Sequence, residues 1–346
     1  MDTRGFRSLV ATIAALALCA ASPALAPGWG HPPLPKSAGR ALPATLRGVT
    51  IDQVARLTAL VQSIRALRSA PTVRLVFDPG MTPGDYSPAI SRLRPAAYVM
   101  AELIDSEAMR GFSAGAAARR ARSFGAAFKD QVDLWEIGNE VNGAWVGRNQ
   151  AEIDGKVAAA YDVIHGELGG RTALTLNYWA GPQCYEQPWE ATLAYARAMP
   201  KRVRLGVDVV LLSLYETACD PVQRPSARQL IETFRELATI FPKARLGMGE
   251  IGAQGVVDGL AREPDLAEKQ RIAQRYYGMD TAFRRALGAR WAGGYFWWYY
   301  TRDAVPMGKA GSLWPTLDEL LAGLGRRQQK TPPERGLSGD GGRSKD

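Results

Sequence analysis

Val132-Asp133-Leu134-Trp135-Glu136-Ile137-Gly138-Asn139-Glu140 is the stretch whose reading decides the fold. It begins as an apolar-rich run of strand character and ends in Asn-Glu, and Val141-Asn142-Gly143-Ala144-Trp145 after it has the composition of a loop. A carboxylate at the carboxyl end of a strand, beside an amide and aromatic rings, brings acid–base chemistry to the edge of a sheet. Arg245-Leu246-Gly247-Met248-Gly249-Glu250-Ile251-Gly252 repeats the arrangement: a short strand, a terminal glutamate, a glycine. A single strand-end acid is usually just solvated. Two of them, Glu140 and Glu250, make a signal.

Outward from that stretch the chain alternates. Apolar runs at 46–51, 73–77 and 97–103 precede it, and 172–179, 207–215, 245–252 and 293–299 follow. Between them, amphipathic segments predict helices over 52–68 (with Asp52 as its N-cap), 87–93, 113–129, 151–168, 189–199, 226–240, 266–287 and 316–324. Eight strands alternating with eight helices is the count of an α/β (β/α)₈ TIM barrel forming a single domain over 46–325. The near-continuous apolar runs suit a parallel sheet covered by helices. No glycine-rich phosphate loop follows the first strand, which argues against a doubly wound nucleotide-binding sheet.

Composition narrows the class further. The 346 residues are 46% hydrophobic and include nine tryptophans, enough for a substantial core. Part of the net charge of +9 lies at the ends, which leaves the body only mildly basic: 326–346 reads as a basic disordered tail, and no Lys/Arg run with interleaved aromatics occurs in the body. Nucleic-acid binding is therefore not expected. Residues 1–26 read as a signal peptide, with Arg4 and Arg7, an apolar stretch too short to span a bilayer, and Ala24-Leu25-Ala26 as a small-x-small cleavage pattern. An uncleaved anchor or a disordered Ala-rich start is the alternative. Residues 27–45 are an irregular, Pro/Gly-rich lead-in. The expectation is a secreted or periplasmic monomer without stable membrane insertion. Cys184 and Cys219 follow the fifth and sixth strands, so both belong to loops at one end of the barrel. That even pair is compatible with one disulfide, two unrelated buried thiols being the alternative.

With these residues in place, the chain resembles the retaining glycoside hydrolases of clan A. Those are (β/α)₈ barrels whose acid/base glutamate follows an Asn at the end of strand four and whose nucleophilic glutamate ends strand seven. Trp135-Glu136-Ile137-Gly138-Asn139-Glu140 resembles the first motif and Gly247-Met248-Gly249-Glu250 the second. Tyr215 resembles the clan's tyrosine that hydrogen-bonds the nucleophile, and Trp297-Trp298 the strand-eight aromatic beneath the sugar ring. The chain departs from many members in placing Val141, not proline, after the Asn-Glu pair. The two histidines, His31 and His165, fall in the lead-in and a helix, so neither is a site candidate.

The resemblance implies a double displacement on the O-glycosidic bonds of a polysaccharide or oligosaccharide. Glu140 would protonate the leaving oxygen and Glu250 would form the glycosyl-enzyme, with the carboxyls about 5–5.5 Å apart. Asn139 would hydrogen-bond the sugar. Trp145, Trp179 and Tyr300, with one ring of the Trp297-Trp298 pair, would supply aromatic walls, although tryptophans also simply fill cores. Glu136, deeper on the same face as Glu140, needs a partner, and Arg74 on strand two is the candidate for a structural pair. Glu102 and Asp105 end strand three and line the cleft or cap the next helix. No histidine pattern for zinc occurs, and no metal or cofactor is expected. The mild positive charge of the body suggests an acidic glycan. The competing reading is a catalytically inactive carbohydrate-binding barrel that keeps the aromatic cleft.

Overall fold

A computed structural model describes residues 27–325; the expected signal peptide and basic tail lie outside the described residues. Eight parallel strands close into one barrel in sequence order: β1 (Leu46–Ile51), β2 (Thr72–Val76), β3 (Tyr98–Glu102), β4 (Leu134–Glu136), β5 (Thr172–Asn177), β6 (Val209–Leu214), β7 (Arg245–Ile251) and β8 (Trp291–Trp297). β8 returns to pair with β1, so no strand edge is left open. Residues 27–45 form no helix or strand but are anchored, since Arg40 binds Asp133 through both Nε (2.9 Å) and Nη2 (2.5 Å).

Period-two alternation separates two cores. One face of each strand packs on the helices, and the other fills the barrel. The filling is a small apolar plug that includes Leu46, Met100, Leu134, Ala173, Leu211 and Phe296. Two residues further along their strands, the same inward face becomes polar: Glu102 after Met100, Glu136 after Leu134, Thr175 after Ala173, Ser213 after Leu211. The barrel is dry below and ionic above. Small residues make the closure possible. A Cβ at Gly48 would lie 2.5 Å from the Phe296 ring, and Gly294, at φ +101°, would place one 2.0 Å from the Met248 carbonyl oxygen.

Several elements differ from the expectation. Asp52 does not cap the first helix, which starts at Leu57 after Arg56; Asp52 lies instead on the loop after β1 at the barrel mouth. The helix expected over 266–287 is two, Leu266–Tyr277 and Asp280–Leu287, divided at Gly278-Met279. β4 is only three residues long, yet the chain beyond it still follows β5, with Ile137 N donating to Ala173 O at 2.9 Å and Thr175 N to Gly138 O at 3.0 Å, until Glu140 turns to φ +46°. Cys184 and Cys219 form a disulfide with Cα atoms 4.6 Å apart, tying the loop after β5 to the loop after β6. No helix among the described residues is long and apolar enough to cross a membrane.

Gly294→Ala should destabilise the fold by more than about 2 kcal/mol, since it adds both a positive-φ penalty and a backbone clash. A shift of the denaturation midpoint at unchanged m-value measures it.

Candidate active site at the barrel mouth

The carboxyl ends of the strands open into a cavity of about 580 Å³ lined by Asn139, Glu140, Tyr215, Glu250 and Trp298 among others. Glu140 and Glu250 therefore face one space. They arrive differently. Glu250 lies within β7, its amide donating to Ser213 Oγ at 3.1 Å and its Oε2 accepting from Tyr215 Oη at 2.6 Å. Glu140 lies past the end of β4 in a left-handed conformation, which costs a non-glycine residue of order 1–3 kcal/mol and occurs mostly where a side chain must be aimed.

Beneath both sits Arg74, fully buried on β2. Its Nε donates to Glu136 Oε2 at 2.6 Å, its Nη1 to Glu250 Oε1, and its Nη2 lies 3.2 Å from Glu102 Oε2. The expected Arg74–Glu136 pair is present, but it is one arm of a fork that also holds Glu250. A planar guanidinium with donors on three sides can do this; an ammonium on a flexible stem cannot hold three carboxyls in fixed directions. Thr175 donates a further bond to Glu136. The sequence signal for Arg74 was its placement: a lone cation inside the apolar run Val73-Arg74-Leu75-Val76-Phe77.

One cation faces several acids, so protons must be shared out. Burial pushes the Glu140 carboxyl well above the ordinary carboxylate range, and the nearby Glu250 charge adds to this, while Arg74 and a hydrogen bond from Ser213 oppose it. Glu140 Oε1 has no hydrogen-bond partner. Burial likewise drives Glu102 upward, and neither of its oxygens has a hydrogen bond. Asp105 is raised to about 6 by burial and then by Glu250. It serves two ends at once, accepting from Glu107 N as a helix cap at 2.9 Å and lining the cavity. Burial also keeps the Tyr215 hydroxyl far above its usual value, with the Glu250 charge adding to it, so it remains a donor to Glu250.

The aromatic residues divide. Trp298 lines the cavity and lies over the Arg74 guanidinium at 5.4 Å. Trp297 is fully buried and donates Nε1 to Asp303 at 2.9 Å, on the helix side of β8, so it cannot meet a substrate. Tyr300 is likewise buried, its hydroxyl 3.2 Å from Ser63 Oγ. Trp145 and Trp179 lie outside the main cavity, in a second one of about 520 Å³. Asn139 is buried with Oδ1 unpartnered at the cavity wall. Gly111-Phe112-Ser113-Ala114-Gly115 fits the spelling of a serine nucleophile elbow, but Ser113 is exposed and caps the helix Ala114–Phe128, with no strand before it to form the elbow. Among the described residues no group of His, Cys, Asp and Glu could hold a metal ion.

No protein-family model and no curated protein sequence matches the chain. Solved structures do match its fold. Two structures of a β-glucosidase from Thermotoga maritima align with TM-scores of 0.53 and 0.50, each at 12% identity, over 75% and 76% of this chain and 90% of theirs. Bacteroides uniformis β-glucuronidase 2 aligns with a TM-score of 0.46 at 14% identity over 74% of this chain, which spans only 30% of that one. The eight-stranded parallel barrel is the fold that the two Thermotoga maritima β-glucosidase structures share, with no family assigned.

Removing the fork should unsettle the whole mouth. Arg74→Ala leaves buried carboxyls without their cation and should cost about 3–5 kcal/mol. Arg74→Lys should restore part of that, as measured by chemical denaturation; a stable Arg74→Ala protein would show that the carboxyls are not held this way.

Proposed function

We propose that the chain is an exported retaining glycoside hydrolase that cleaves O-glycosidic bonds of a poly- or oligosaccharide by double displacement. The observation that carries this is the unequal treatment of two carboxyls on one cavity. Glu140 is driven towards its protonated form by burial and by Glu250, while Glu250 is held by Arg74 and Tyr215. Environments that separate two carboxyls in this way create one acid and one anion, which is what glycosidic cleavage requires.

In this reading Glu140 delivers its proton to the glycosidic oxygen as Glu250 attacks the anomeric carbon. The leaving sugar departs with that proton, and the bond formed is the Glu250 ester. Water then attacks the ester, loses a proton to Glu140 and frees Glu250. Arg74 and Tyr215 steady the Glu250 carboxylate whenever it is released. Asn139 Oδ1 is an open acceptor for a sugar hydroxyl and Trp298 offers a ring face. Asp52, Asp78, Asp105, Glu107 and Asp258 also line the cavity, and no lysine or arginine among the described residues does. That favours a neutral or amino sugar at the point of cleavage over the acidic glycan suggested by the net charge. The disulfide supports an oxidising compartment outside the cytoplasm.

Glu140→Gln and Glu250→Gln should each lower turnover by a factor of at least about 10² while leaving the fold intact. A fluoro-sugar that traps the intermediate should label Glu250, and glycan binding with no labelling and no turnover would favour a non-catalytic barrel.

The pH dependence has a defined sign. Glu140 must be protonated to act, so kcat/KM should fall as pH rises through its raised value. Asp105 contributes to that elevation. Asp105→Asn should therefore move the alkaline limb to lower pH, and a limb that stays in place would separate Asp105 from the acid.

A further inference from the structure

We propose that the second cavity, walled by Trp145, Trp179, Tyr185 and Trp189, is the subsite for the leaving-group side of the glycan, stacking the sugar that departs first. This rests on Glu140 being the acid, because the atom it protonates belongs to the departing sugar. That sugar must lie on the Glu140 side of the catalytic cavity. The lining acids Asp52, Asp78, Asp105 and Glu107 come from the segments after β1, β2 and β3 and Asp258 from the loop after β7, while Glu140 lies on the loop after β4. Trp145 lies on this same loop, one turn past the acid: Gly143 N donates to Glu140 O at 2.9 Å, and Val146 N to Gly143 O at 3.0 Å.

The cavity is built rather than incidental. Trp145 and Trp179 meet edge to face with ring centroids 6.2 Å apart and planes at 87°, so they form two walls of a corner. Tyr185 continues the Trp179 wall at 6.5 Å. All four rings are partly exposed, while the polar groups that fix their loops are buried. Asn142 donates to Asn177 O and Glu190 O and accepts from Asn177 N, and Glu190 accepts from Ala144 N, Glu186 N and Gln187 N. Cys184, bridged to Cys219, also lines the cavity. A Cβ on Gly143 would come within 2.5 Å of the Trp145 indole, so that ring lies directly on the backbone. Trp179 Nε1 is buried yet has no hydrogen-bond partner. A sugar supplies an apolar C–H face for the exposed parts of the rings. Loops held rigid before binding lose little entropy when it arrives.

The test compares two leaving groups on one sugar. The full chain is assayed on a panel of cello-, laminari-, chito- and chitosan-oligosaccharides and on the glycosyl fluorides of the same sugars, whose fluoride cannot reach the second cavity. For Trp145→Ala and Trp179→Ala, the loss of kcat/KM on the oligosaccharide should exceed the loss on the matching fluoride by about tenfold or more. Equal losses on both, or none, would overturn the subsite while the glycosidase reading stands. An unmutated protein that turns over neither class would overturn both.

Discussion

A single guanidinium governs the upper half of this barrel. Arg74 is completely buried, yet it touches Glu102, Glu136 and Glu250. Water normally solvates each of these charges, and here it is excluded. Burial alone would lower the pKa of Arg74; the three carboxyls act against that and keep it charged. One positive charge cannot neutralise every acid around it, and burial pushes the Glu102, Glu136 and Glu140 carboxyls all above the ordinary carboxylate range. Glu102 and Glu140 each have an unpartnered oxygen, whereas Glu136 and Glu250 take donors from Arg74 and from Thr175 or Tyr215. The different surroundings of Glu140 and Glu250 thus depend on one residue of β2, two strands from β4 and three from β7.

The fold makes that concentration of charge tolerable. The plug of Met100, Leu134, Leu211 and Phe296 fills the lower barrel with apolar side chains. The ionic layer is stacked directly on it, held by strands whose register is fixed on both sides. A loop could not keep three carboxyls on one guanidinium. Neighbouring strands of a closed barrel can, because their side chains have little freedom to swing apart.

The sequence made the barrel legible because a buried parallel strand is written almost wholly in apolar letters, and eight such runs are hard to place otherwise. Period two also carried Glu136 to the correct depth and put Arg74 beside it. It could not show that the same arginine reaches Glu250, because the shear of the barrel decides which strands meet at one level. The aromatic residues show the same limit. Trp297 and Trp298 are adjacent letters that alternate between core and cleft, and the phase depends on where β8 ends. Asp52 reads as a helix cap by local rules, but the chain spends four more residues before its helix starts. Local grammar assigns elements; it does not assign the distances between them.

The left-handed backbone at Glu140 joins these threads. Had β4 continued straight through 140, alternation would have kept the glutamate in line with Glu136 and within the ionic layer. Turning there lifts it to the cavity wall, leaves one oxygen without a partner, and starts the tight loop that sets Trp145 beside it. β4 itself, the shortest strand in the barrel, ends at Glu136, four residues before this turn. A strained residue persists only where its surroundings over-determine it. Here Gly138 packs against Val141 below, Val141 N bonds Thr175 O, and buried Asn142 pins the loop above. The strain is therefore held by packing on β5, not by Glu140 itself, and the carboxyl is left free to exchange a proton.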